Sequence, residues 1–284
     1  MRLGPFDPNN IRVRRGGGGG GLPIGGGSIG CGTILIAAIA YFVFGADPSQ
    51  VLGTQGGDQG YSETAGRQGG EIGTQACNDN QYATEACNAL SSLNSTWQPV
   101  FQQANVAFHQ PELVFYQGGT RSGCGAASAA MGPFYCPQDE GIYIDTSFYD
   151  EMNRKLGAGP GDFARYYVIA HEYGHHVQKL TGVADAIASA QQQDPARANR
   201  LQVLMELQAD CYAGVWAGKN RNLIEPGDFE EGMQAASAIG DDTLTHGTVS
   251  PDNFTHGTSA QRMSALRMGM QSGDDTACDR IVQA

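Results

Sequence analysis

The chain has 284 residues, 40% of them hydrophobic, with 17 basic against 29 acidic groups and a formal charge of −12. That is enough for one domain with a sizeable core. The charge is unevenly divided: the first 46 residues hold Arg2, Arg12, Arg14 and Arg15 against Asp7 alone, while the remainder carries 13 basic and 28 acidic side chains. An acidic body repels nucleic acid, so no nucleic-acid partner is expected.

Residues 1–23 are rich in Gly, Arg and Asn, with six consecutive glycines from Gly16 to Gly21. So little apolar surface does not offset ordering entropy, and the composition predicts a disordered cytoplasmic tail. From Ile29 to Ala46 no residue is charged. That length can cross a bilayer, so residues 24–46 are expected to form a transmembrane helix. Arginines before it and acidic or polar residues from Asp47 onward predict a single-pass cell-membrane protein, with its C-terminal domain periplasmic or extracellular. A cleaved signal peptide competes with this reading, but Phe44 is too large for the position three before a cut at Asp47. Residues 47–75, rich in Gly, Gln and Ser, read as a flexible linker, which leaves 76–284 as the folded domain.

Cys31 falls in the apolar stretch; Cys77, Cys87, Cys124, Cys136, Cys211 and Cys278 remain. An even set in an exported domain favours disulfides, and the preferred pairing is 77 with 87, 124 with 136 and 211 with 278. Buried free thiols are the alternative, without CxxC spacing to make them zinc ligands.

Ala83 to Gln103 carries Leu90, Leu93, Trp97 and Phe101 at helical intervals and reads as one helix or two. Short β-type runs follow at Leu113–Tyr116, Gly132–Cys136 and Ile142–Asp145, separated by Gly, Pro and Asp. Helices then dominate: Asp162–Thr181 closed by Gly182, a second from near Pro195 to Lys219, a third from Pro226 to near Gly240, and a last from Ser259 to Gln271 before Gly273. Strands first and helices afterwards predict an α+β fold with a small antiparallel or mixed sheet.

Within the first of these later helices stands His171-Glu172-Tyr173-Gly174-His175. A spacing of four places both imidazoles on one face, able to converge on one ion, with Glu172 beside them. Zinc takes imidazole nitrogen, keeps a position for water and lowers that water's pKa to about 7, so a neighbouring carboxylate can act as general base. Tyr166 to Ala170 make the preceding turn apolar all round; such a helix is buried, and buried His and Glu need a partner. The longer HExxHxxGxxH pattern fails, because positions 178 and 181 are Gln178 and Thr181. Downstream, Glu206 and Asp210 share a helix face. Glu206 is the candidate third ligand, and Asp210 the carboxylate that accepts the other ring N–H of a ligating histidine. Ala209, Ala213 and Gly214 are small enough to let this helix approach the first.

HEYGHHVQ, then ELQADCYAGVW and FTHGTSAQR, together with GPFYCPQDEGIYID before them, resemble the neutral zinc metallopeptidase family of membrane-anchored bacterial proteins and, more distantly, the glutamate-zincin peptidases. The resemblance covers about residues 76–284. It implies a zincin-like fold, one Zn2+ held by His171, His175 and Glu206, and Glu172 as general base.

His256 is the candidate donor to the oxyanion of a tetrahedral intermediate, with His246 and Tyr212 as alternatives and a helix-entry role as the plain reading. Arg262 is expected to pair with an acid inside the domain. His176 points about 100° away from His175 and reads as a packed or surface residue; His109 carries no pattern. The strand around Gly141–Asp145 is the candidate edge for pairing with a peptide. The expected activity is a metalloendopeptidase acting on exported or envelope proteins. Its competitors are a catalytically silent, zinc-stabilised peptide-binding module and a metal-free envelope protein held by disulfides.

Overall fold

A computed structural model describes residues 1–16, 73–155 and 161–283. The expected transmembrane helix 24–46, Cys31 and most of the linker 47–75 lie outside the described residues. Among the described residues no helix is long and apolar enough to cross a membrane.

The architecture is α+β and mostly helical. Strand β1 (Arg12–Arg15) is followed by helix α1 (Gln81–Gln103), capped by the Asn80 side chain, which accepts from the Ala83 N–H at 2.9 Å. Then come β2 (Glu112–Phe115), the hairpin β3 (Gly119–Ser122) and β4 (Gly125–Ser128), β5 (Phe134–Cys136) and β6 (Gly141–Ile144). The helical half comprises α2 (Ser147–Lys155), α3 (Asp162–Leu180), α4 (Val183–Gln193), α5 (Ala198–Lys219), α6 (Asp228–Ala238), α7 (Asp241–Leu244), α8 (Ser259–Ser272) and α9 (Thr276–Val282).

The main sheet is mixed, in the order β1-β2-β6-β5: the first three strands are parallel and β5 runs antiparallel to β6. Strand alternation sorts its side chains. Val13, Leu113 and Ile142 stand in register across three strands and face the large core beneath, with Phe115 and Ile144 beside them. The opposite row, Val114, Tyr143 and Phe134, forms a smaller cluster with Met131 and Ala127.

Two expectations are corrected here. Residues 1–16 are not a disordered tail: β1 completes the sheet, and Met1, Ile11 and Val13 are buried in the core. Composition misled because the partners that stabilise this segment, β2 and α1, lie about a hundred residues downstream. Nor is Gly141–Asp145 an edge: β6 is paired on both sides, and among the described residues β5 is the open strand on that side of the sheet.

The helices meet closely where their residues are small. A Cβ on Gly174 would lie 2.8 Å from the Ala209 Cα, so α3 and α5 cross in contact at that point. Gly214, expected to serve the same crossing, faces Leu266 of α8 instead. Disulfides join Cys77–Cys87, Cys124–Cys136 and Cys211–Cys278, the pairing preferred from spacing. The last fastens α9 to α5 one residue beyond Asp210.

Candidate metal centre

Helix α3 is buried through the turns that carry the motif: Tyr167, Ile169, Ala170 and Tyr173 are each 1% exposed or less. Its two histidines therefore leave the core on the face that meets α5. There the structure brings His171, His175 and Glu206 together, with one ligand atom from each all within 4.8 Å of one another. His171 Nε2 is 3.2 Å from one Glu206 oxygen and His175 Nε2 is 3.6 Å from the other.

The remaining ring nitrogens are both tied down. His171 Nδ1 donates to Asp210 at 2.8 Å, and His175 Nδ1 donates to the Gln178 Oε1 at 2.8 Å. A proton is thus held on each Nδ1, and both Nε2 atoms, the positions a zinc ion would take on displacing the His171 proton, are turned toward Glu206. Two imidazole nitrogens and a carboxylate, each oriented from behind, fit a zinc ion that keeps a position for water. Gln178 occupies the position where the longer motif demands glycine; its amide also donates to the Met205 carbonyl and to Gln208.

Asp210 is the hub behind the site. It accepts from His171, from the Tyr167 hydroxyl at 2.5 Å and from Arg262 through two bonds at 2.8 and 2.9 Å. Burial would raise its pKa, but Arg262 and His171 hold it below the usual carboxylate range. Glu206 is likewise held low against burial by the two histidines, with His256 adding to the effect. Burial also opposes charge on His171, yet Asp210 and Glu206 raise its pKa to about 10; the same anions make the pocket attractive to a cation. His175, without such a carboxylate behind it, is lowered, chiefly by burial.

Glu172 stands next to this group. Its pKa is pushed up to about 7, first by burial and then by Glu206, against the opposing pull of His171 and the backbone N–H of Tyr135, which donates to it. A carboxylate poised near neutrality suits a general base. Tyr135 belongs to β5, so the open edge of the sheet runs beside the base.

His256 is 4% exposed and tightly held. Asp241 accepts from its Nδ1 at 2.9 Å and, through the other oxygen, from the backbone N–H groups of Thr255, His256 and Gly257. Among the described residues its Nε2 is a buried atom with no hydrogen-bond partner, on a ring near enough to Glu206 to influence its charge. The alternatives are elsewhere: His246 is exposed with a left-handed backbone, and Tyr212 packs on Trp97 and donates to Asp279.

Tyr167, Gln178, Asp241 and Tyr135 were not singled out from sequence. Asp241 carried a weak signal, an acid beside the glycine that ends the preceding helix. Gln178, three residues after His175 on the same helix, shares its face; Tyr167 and Tyr135 carried no signal, because their partners are distant along the chain. His109 is exposed and pairs with Glu140 at 2.6 Å. The other carboxylate cluster among the described residues, Asp162, Asp228 and Glu231, faces the Met1 ammonium, which lies 2.8 Å from Asp162 and 2.7 Å from Asp228.

Residues 6–281 match the model of the family described as "Putative neutral zinc metallopeptidase". The chain is 50% identical over 208 residues to the uncharacterized protein YpfJ of Escherichia coli K12, covering 71% of this chain and 72% of that protein. It is 39% identical over 209 residues to the uncharacterized protein Rv2575 of Mycobacterium tuberculosis H37Rv, covering 68% of this chain and 69% of the relative. No solved structure matches the chain. With its HEYGH helix and Glu206 gathered at one point, and with the family match spanning nearly its whole length, the chain belongs to the neutral zinc metallopeptidase family.

Proposed function

We propose that the protein is a zinc metalloendopeptidase whose centre is His171, His175 and Glu206 and whose general base is Glu172. The observation that carries this reading is the convergence of His171, His175 and Glu206 with a buried carboxylate, Glu172, next to His171 on the same helix. Zinc bound there would supply Lewis-acid polarisation of a peptide carbonyl and an acidified water. Glu172 accepts the proton of the attacking water and returns it to the leaving amine. His256, its Nδ1 fixed on Asp241 and its Nε2 unengaged among the described residues, is the candidate hydrogen-bond donor to the developing oxyanion. The substrate lies extended along β5, where backbone pairing sets its register beside Glu172.

Three disulfides suit a domain that works in an oxidising compartment, so the substrates are exported or envelope proteins met beside the membrane engaged by the apolar stretch 24–46. The competing reading, a zinc-stabilised module that binds peptides without cutting, leaves the buried Glu172 carboxylate beside the candidate ligands without a use.

The test measures bound zinc and cleavage of unfolded casein for wild type and Glu172→Gln. One zinc in both proteins, with cleavage in the wild type alone, is expected. Equal cleavage would remove Glu172 from the mechanism; bound zinc without cleavage of any peptide would favour the binding module.

A further inference from the structure

The first sixteen residues read as a tail, and their four arginines set the orientation expected across the membrane. The structure uses both differently. Along β1 the Gly16 N–H donates to the Phe115 carbonyl at 2.7 Å, and the Gly73 N–H donates back to the Val13 carbonyl at 3.2 Å. Ahead of the strand, the Phe6 N–H donates to Asn88 at 2.9 Å, and Asn94 donates to the Asn10 carbonyl at 2.7 Å, both from α1. The arginines are paired with the domain: Arg2 with Glu225 at 3.0 Å, Arg14 with Glu112 at 2.7 Å, Arg15 with Asp79 at 2.6 Å, while Arg12 donates to the Gln110 carbonyl.

We propose that residues 1–16 are an integral strand and anchor of the peptidase domain and lie on the same side of the membrane as residues 73–283. Two strands in hydrogen-bonded register, with strands ≈ 5 Å apart, cannot pair across about 30 Å of hydrocarbon. A single crossing would leave the β2 edge unpaired, expose Val13 and Ile11, and strip Glu112 and Asp79 of their arginines. The positive-inside rule counts Lys and Arg beside a span; here Arg2, Arg14 and Arg15 have acidic partners in the folded unit and Arg12 bonds to its backbone. The inference is independent of whether the protein cuts peptides.

The test uses the full-length protein with Cys31→Ser, carrying a cysteine either at exposed Asn9 or at exposed Gln192, and a membrane-impermeant maleimide on cells with an intact cytoplasmic membrane. Both positions are expected to label at the same stage, together before permeabilisation or together only after it. Labelling of one before and the other only after permeabilisation would overturn the proposal. In a second measurement, a specific protease site inserted after residue 60 is cut in detergent. The N-terminal fragment is expected to stay with the domain through gel filtration and to leave it when Ile11→Asp and Val13→Asp are combined. Separation of the wild-type fragments would overturn the integral-strand claim.

Discussion

The Tyr135 hydroxyl lies 3.0 Å from His176 Nδ1, a contact that ties the open strand of the sheet to the helix of the candidate zinc ligands. His176 Nε2 donates to the His109 carbonyl at 2.8 Å, so Nδ1 is the acceptor and the ring is neutral. Burial, chiefly, lowers its pKa from 6.5 to about 4, with the His109 bond opposing. An unfolded chain takes up this proton near pH 6.5 but the folded one only near 4. Stability from this group is therefore full above pH 6.5 and is lost as pH falls toward 4. Between pH 7 and 5 the loss is ~2 kcal/mol. Urea unfolding at the two pH values, at saturating zinc, should show that drop in wild type and a smaller one in His176→Gln; equal drops would remove His176 as the cause.

Asp210 gathers a histidine, a tyrosine and an arginine on one carboxylate. Asp210→Asn keeps the shape but weakens the acceptor behind His171, and zinc affinity should fall roughly 10–100-fold. Glu206→Gln, which changes a ligand itself, should lose more. Competition with a chelator of known affinity reads both, and unchanged affinity in Asp210→Asn would show that the carboxylate does not orient the ligand.

At the crossing of α3 and α5, Gly174→Ala drives a methyl group against the Ala209 backbone, which cannot yield as a side-chain end does. The helices must part, at a cost of about 1–3 kcal/mol typical of overpacking. Because His175 and Glu206 sit on opposite sides of that contact, zinc affinity should fall along with the melting temperature. Loss of stability with zinc affinity intact would confine the glycine to packing.

His256 and Asp241 should behave as a pair. His256→Phe removes the donor proposed for the oxyanion, and kcat is expected to fall about 10²–10³-fold with zinc content unchanged. Asp241→Asn should lower kcat by less, and the double variant should match His256→Phe rather than add to it. Additive losses would separate the two residues, and a loss of zinc in His256→Phe would assign the histidine to the metal instead.

What could be read without coordinates followed from local spacing. Positions four apart on a helix must share a face, so His171 with His175 and Glu206 with Asp210 were legible as pairs, as were the ends of α3, α5 and α8 from their glycines and charges. The nearest cysteines along the chain were also the pairs that meet. What tertiary structure alone decided was which faces meet. Arg262 and Tyr167 on Asp210, Asp241 on His256 and Tyr135 beside Glu172 each join residues whose separation along the chain carries no periodic signal. The same reason applies most strongly to residues 1–16. A strand of four residues, rich in arginine and followed by glycine, has no stability of its own, and it is a strand because β2 offers an unpaired backbone edge and acidic partners almost a hundred residues away.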